Sequence, residues 1–208
     1  VICEIGKKYN IKKFIFGSSS SVYGDQKKFP IKESYPLKPK NPYAITKLKS
    51  ERIVSRIFKK SKVDYIIFRF FTVYGPFGRP DMFIHKFLNT IKKNKKINLH
   101  NKGLNYRDFT YVDDVIKILY KSLRKKINNK TLNICRSKPI ITLDLVQLIL
   151  KIYGLKKAKI IKTNFVKGEM LKTHGSNSNL KKYFGKIKFK ELKKGIKETI
   201  KIFKLYRM

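Results

Sequence analysis

Tryptophan is absent from this 208-residue chain, cysteine occurs twice, and Asp and Glu together number only 13. Each scarcity excludes something. Two cysteines, Cys3 and Cys135, cannot form a disulfide scaffold and match no metal-ligand spacing, so reduced thiols in a cytoplasmic setting are expected. The three histidines, His85, His100 and His174, share no such spacing either and read as surface or satisfied polar residues. No apolar run approaches the ~18 to 20 residues that a membrane span needs, and no signal peptide is visible, so no membrane partner is expected.

Lysine is what the chain has in excess. Fifty-one basic residues give a formal net charge of +38, which at first suggests nucleic acid. Only eight of them are Arg, whereas base readout and phosphate clamping favour the Arg fork. The lysines are scattered, with no block or arm. A solvated lysine surface with weak polyanion affinity is therefore expected, and no specific nucleic-acid partner. Hydrophobic residues at 42% and aromatics at 13% mark a globular chain, long enough for one ordinary domain or two small ones.

Elements alternate along the chain. Lys13 to Phe16 is a short apolar run ended by Gly17, a buried-strand pattern. Asn41 and Pro42 open a helix to about Lys60, with Asn as N-cap and Pro in the first turn. Val63 to Phe70 reads as a second strand, followed by a Gly/Pro loop over Thr72 to Pro80 and a helix from Met82 to Lys93. Short strands are expected near Ile97 to Leu99 and Asp108 to Tyr111, then a helix whose first turn is capped by Asp113 and Asp114. A strand at Thr131 to Cys135 and helices near Leu143 to Tyr153, Asn179 to Phe184 and Glu191 to Leu205 complete the pattern. Such alternation predicts an α/β fold with a parallel sheet in the first part.

Chemistry concentrates at Ser18 to Ser21 and at Tyr43-x-x-x-Lys47. The Tyr-x-x-x-Lys spacing alone means little. It occurs four times, starting at Tyr9, Tyr23, Tyr43 and Tyr153, nearly what chance gives in so lysine-rich a chain. Context selects Tyr43, which lies in the first turn of a helix and shares a face with Lys47. It also follows a strand that ends in hydroxyls. An ammonium within a few Å stabilises a phenolate, which is how a tyrosine becomes a general base.

These residues resemble a family. Phe14 to Gly24 (FIFGSSSSVYG) and Asn41 to Lys47 (NPYAITK) look like the extended short-chain dehydrogenases that act on nucleotide sugars. Arg69 to Met82 and Arg107 to Asp114 narrow the likeness to the UDP-glucuronate 4-epimerase group, and Gly168-Glu169 and Asn179-Leu180 extend it towards the C-terminus. The resemblance implies a doubly wound, Rossmann-type parallel sheet plus a small α/β substrate-binding region. It divides the chain into 1–75, the second half of an NAD-binding domain, and 76–208, mainly substrate-binding with some elements returning to the sheet.

It also implies roles. Tyr43 would take the sugar 4-hydroxyl proton while hydride leaves C4 for NAD, and Lys47 would hold the nicotinamide ribose. Ser19 would bridge Tyr43 and the substrate, with Ser20 beside it, and Phe71 would lie against the nicotinamide. Thr72 and Arg79 would face the sugar, and a hydroxyl with a guanidinium suits a carboxylate. Arg107 would grip the UDP pyrophosphate, with backbone near Ile97 to Leu99 on the uridine. The competing readings are a solvated loop charge for Arg79 and a surface pair with Asp108 for Arg107. Dehydratases of the family carry an Asp-Glu pair where this chain has Ser20-Ser21, and a hydroxyl cannot replace a carboxylic proton donor. Phe77 stands where the family usually has Trp. A homodimer through the Pro42 to Lys60 helix is the expected assembly.

A dinucleotide fold needs a glycine-rich turn after its first strand. The eleven glycines form none; Gly75 and Gly78 come nearest, and Asp81 breaks the pattern. The expectation is thus the C-terminal two-thirds of an epimerase converting UDP-glucuronate and UDP-galacturonate, poorly able to bind NAD alone. The alternatives are another epimerase or dehydratase on a UDP- or dTDP-sugar, or a non-catalytic basic binding module.

Overall fold

A computed structural model describes residues 1–93, 96–156, 158–164 and 170–206. The chain opens with α1 (Ile2–Lys8), β1 (Lys13–Ser19), α2 (Pro42–Phe58), β2 (Asp64–Phe70) and β3 (Thr72–Tyr74). It continues through α3 (Phe83–Lys92), β4 (Ile97–Leu99), β5 (Tyr106–Arg107), β6 (Phe109–Tyr111) and α4 (Val112–Arg124). It ends with β7 (Lys130–Ile134), β8 (Ile140–Ile141), α5 (Thr142–Tyr153), β9 (Ile160–Lys162), α6 (Ser178–Phe184) and α7 (Leu192–Tyr206). Every helix and strand expected from the sequence is present within a few residues. Gly168-Glu169 lies outside the described residues.

β2 is the spine. It pairs in parallel with β1, Lys13 opposite Asp64 through Ser19 opposite Phe70, and with β7, Ile66 opposite Lys130 through Phe70 opposite Ile134. Its side chains alternate, as a pleated strand demands. Tyr65 and Ile67 join Val54 and Phe58 of α2 on one face, while Ile66 and Phe68 meet Val115 and Ile118 of α4 and Leu180 of α6 on the other. Helices on both faces of a parallel sheet are the doubly wound arrangement the alternation predicted. A larger apolar cluster, including Leu88 of α3, Ile149 of α5 and Ile196 of α7, gathers the remaining elements.

Local chemistry fixes α2. The Asn41 side chain accepts from the Ala44 amide at 2.8 Å, and Pro42 occupies the first helical position. Ala44, Leu48, Glu51, Val54 and Phe58 turn inward. That leaves Tyr43 on the outside.

Two differences from the sequence reading matter. β3, β5, β8 and β9 were not expected; they are two or three residues long and exist only as partners of β6, of each other, and of β4. Asp113 and Asp114 do sit in the first turn of α4, but neither side chain caps it. Asp114 instead accepts the Lys190 amide at 2.7 Å, tying the C-terminal segment to the sheet layer.

Candidate active site

β1 runs past Phe16 into the serines, and Ser20 to Tyr23 coil into one 3-10 turn. Gly24 closes that turn at φ +58, with its α-carbon so near the Lys38 carbonyl that a β-carbon would stand 1.9 Å from the oxygen. Only glycine fits there. The turn presents Ser19, Ser20 and Ser21 to a cleft of about 720 Å³ whose wall also includes Tyr43, Thr72 and Arg79. A second chamber of about 580 Å³ is lined by Ile97, Asn98, Leu99 and Arg107. Thr72, Met82, Phe83, Arg107 and Phe109 line both, so the two chambers adjoin across a shared wall.

Tyr43 is 56% exposed at the rim. The Lys47 ammonium donates to the Gly17 carbonyl at 2.8 Å and lies 5.8 Å from the centre of the Tyr43 ring. Ser19 does not bridge to Tyr43 here. Its hydroxyl accepts from the Ser21 amide at 3.2 Å and the Ser21 hydroxyl at 2.9 Å, capping the turn. Ser20 is nearly buried, and Phe71 is buried beside Gly175 and Cys135 at the cleft floor.

In the structure Arg79 is the loop cation of the competing reading. Its side chain is 74% exposed and forks onto Asp81, with Nε 3.0 Å from one oxygen. Arg107 is not paired with Asp108. Arg107 reaches the Tyr106 carbonyl at 2.9 Å, while Asp108 is fully buried. The Asp108 carboxylate accepts the Ser137 and Gly175 amides, and its backbone holds the Thr72 amide and the Thr173 hydroxyl. Burial pushes its pKa up to about 6.

Beneath the serines lies a network the sequence reading did not assign. Arg69 projects from β2 and grips Glu51 of α2, Nη2 to Oε2 at 2.7 Å and Nε to Oε1 at 3.0 Å. Its other arm reaches the Tyr23 hydroxyl at 2.9 Å, which donates to Asn133 at 2.7 Å. Ser18 donates to Glu51. Burial alone would lower the Arg69 pKa; its bonds to Glu51 and Tyr23 outweigh that and hold it above its ordinary value. Burial raises Tyr23 to about 12. The clue was a lone Arg in the apolar run of β2, since an unpaired buried charge is prohibitive.

Residues 1–135 match the NAD dependent epimerase/dehydratase family. The chain belongs to this family. Against the UDP-glucuronate 4-epimerase of Thermodesulfobacterium geofontis it is 33% identical over 201 residues, covering 96% of this chain and 61% of that protein. The structure of the UDP-glucuronic acid 4-epimerase from Bacillus cereus, in complex with UDP-glucuronic acid and NAD, superposes with a TM-score of 0.92 at 30% identity, covering 98% of this chain and 65% of the other. A UDP-N-acetylglucosamine 4-epimerase from Methanobrevibacter ruminantium, in complex with UDP-N-acetylmuramic acid, gives 0.90 at 28% identity, covering 98% and 66%. The chain spans about three fifths of the length of the first curated relatives it matches. Like other members of the epimerase/dehydratase family, it is a mixed α/β chain built on a parallel sheet. Among the described residues no helix is long and apolar enough to cross a membrane, and no cluster could hold a metal ion.

Proposed function

We propose that the chain is the catalytic and substrate-binding part of a UDP-sugar 4-epimerase that acts on UDP-glucuronate and UDP-galacturonate. One observation carries the reading. Two adjoining chambers have Tyr43 and the serine turn in one and the Ile97–Leu99 strand in the other, with Thr72 and Arg107 on the wall they share.

The nucleotide would lie along β4. Its diphosphate would sit at the start of α3, which no side chain caps, with Met82 and Phe83 in both chambers and Arg107 nearby. Free helical amides and a guanidinium are what a diphosphate needs. The sugar then reaches the serine turn, with Thr72 and Arg79 at its carboxylate; Arg79 exchanges the Asp81 carboxylate for that of the substrate. The neutral Ser20-Ser21 pair offers no carboxylic proton donor, which favours epimerisation over water elimination, the reaction of the dTDP-glucose dehydratases among the relatives.

The residues present fit the nicotinamide end of NAD: an exposed Tyr43, Lys47 on the same helix face and the Phe71 ring at the cleft floor. They do not supply a glycine-rich cradle for its pyrophosphate. Held by Tyr43, Lys47 and Phe71, NAD would supply the hydride acceptor and donor for the sugar C4. Tyr43 takes the 4-hydroxyl proton and gives it back, the Lys47 charge favours the intervening phenolate, and Ser19 orients the hydroxyl. Turning the sugar in the wide chamber between the two events inverts C4.

The test is conversion of UDP-glucuronate to UDP-galacturonate with NAD present, followed by chromatography. Tyr43→Phe is expected to lower kcat about 10²- to 10⁴-fold. Unchanged turnover would sink the mechanism, and faster conversion of UDP-glucose than of UDP-glucuronate would overturn the substrate assignment.

A further inference from the structure

His85 breaks the expectation set by its sequence context. It is neither a surface residue nor a fully satisfied one: it is 4% exposed, and its Nδ1 is buried with no hydrogen-bond partner among the described residues. A ring that only filled space would avoid that cost, since an orphaned buried polar atom is worth about 1 to 3 kcal/mol of destabilisation. The other nitrogen supplies the reason. Nε2 stands 3.0 Å from the Gly78 amide and 2.8 Å from the Gly75 carbonyl, so the ring reaches both ends of the arch Gly75-Pro76-Phe77-Gly78. With the proton on Nδ1, Nε2 accepts from Gly78; with it on Nε2, the ring donates to Gly75.

The arch lies directly on the ring. A β-carbon at Gly78 would stand 2.6 Å from Cδ2 and 2.7 Å from Nε2. Phe203 of α7 packs edge-on against the imidazole at 6.3 Å, so the ring cannot retreat. The arch packs on Val112 at its Gly75 end but has little hold at its apex, where Phe77 is 75% exposed at φ +56 and meets Tyr206 edge-on. Arg79 follows immediately and lines the same cleft as Tyr43.

We infer that His85 is a positioning residue: it pins the Gly75–Gly78 arch and thereby sets where Arg79 meets the sugar, making it a determinant of carboxylate preference. The inference rests on the carboxylate reading given above. Two measurements separate them. Exchange of the Gly78 amide, followed by NMR, reports the pin itself. The ratio of affinities for UDP-glucuronate and UDP-glucose, with NAD present, reports its consequence.

His85→Phe, which keeps a ring and removes the nitrogens, is expected to speed Gly78 exchange and to lower the affinity ratio about tenfold, the worth of one charged hydrogen bond. His85→Gln, whose amide can replace Nε2, is expected to restore both. Gly78→Ala sets a β-carbon against the ring and so pushes the arch off it, and is expected to lower the ratio alike. Unchanged Gly78 exchange in His85→Phe overturns the inference, as does equal weakening of both sugars, the mark of a merely structural role. Arg79→Ala completes the set. If it leaves the ratio intact, the carboxylate reading falls, and with it the specificity part of the inference, while Gly78 exchange still decides the pin.

Discussion

Asp108 has no exposed surface, and it is held by the backbone amides of Gly175 and Ser137 with the Arg136 charge nearby. One of its oxygens, Oδ1, has no hydrogen-bond partner among the described residues. Desolvation therefore dominates and lifts its pKa to about 6. Raised above the unfolded value of about 3.9, the group favours the folded state fully below that pH and loses the contribution as pH rises through about 6. Asp108→Asn stays neutral throughout. Its stability relative to the parent is expected to rise by about 2 to 3 kcal/mol between pH 4 and pH 7, measured by urea unfolding; a flat difference would show that the buried carboxylate is solvated. Thr72 and Thr173 hang on the same residue, so the substrate wall inherits whatever that titration does to the fold.

Between elements, the decisive tie is Glu51 of α2 to Arg69 of β2. Removing one partner of a buried pair leaves the other charge stranded, at a cost of about 3 to 5 kcal/mol. Glu51→Ala is expected to lose that much in thermal or urea unfolding and to loosen the Ser18 end of β1; a loss under about 1 kcal/mol would mean water reaches Arg69. Elements of ten residues or more announced themselves through periodicity and caps, α2 most clearly through Asn41-Pro42. The pairs β3 with β6 and β5 with β8 did not. Two or three residues carry no period, and their pairing is decided by the layer they close. The site divides in the same way. Tyr43, Ser19, Thr72 and Arg107 were legible because motif context marks them, and all four line the cleft. His85 and Asp108 were not, because burial of a single polar residue leaves no trace in spacing.

Over the whole molecule, 13 acidic residues cannot offset 51 basic ones. Ion pairs such as Lys40 with Asp25 are exposed and contribute little. Self-repulsion opposes the compact state, and salt relieves it as the screening length shrinks from about 30 Å at 0.01 M to about 8 Å at 0.15 M. The melting temperature is expected to rise over that range. A fall would show that attractive pairs outweigh the excess charge. Among the described residues β1 pairs only with β2.

The shared wall of the two chambers has a consequence of its own. Thr72, Met82, Phe83, Arg107 and Phe109 face both, so on the proposed reading the handle of the substrate and its reacting end would press on the same five side chains. Grip on the handle is then convertible into speed at the far end. Glucuronate 1-phosphate, which has the reacting sugar and no handle, should suffer in kcat as well as KM: a key cut to the right profile but without a bow to turn it.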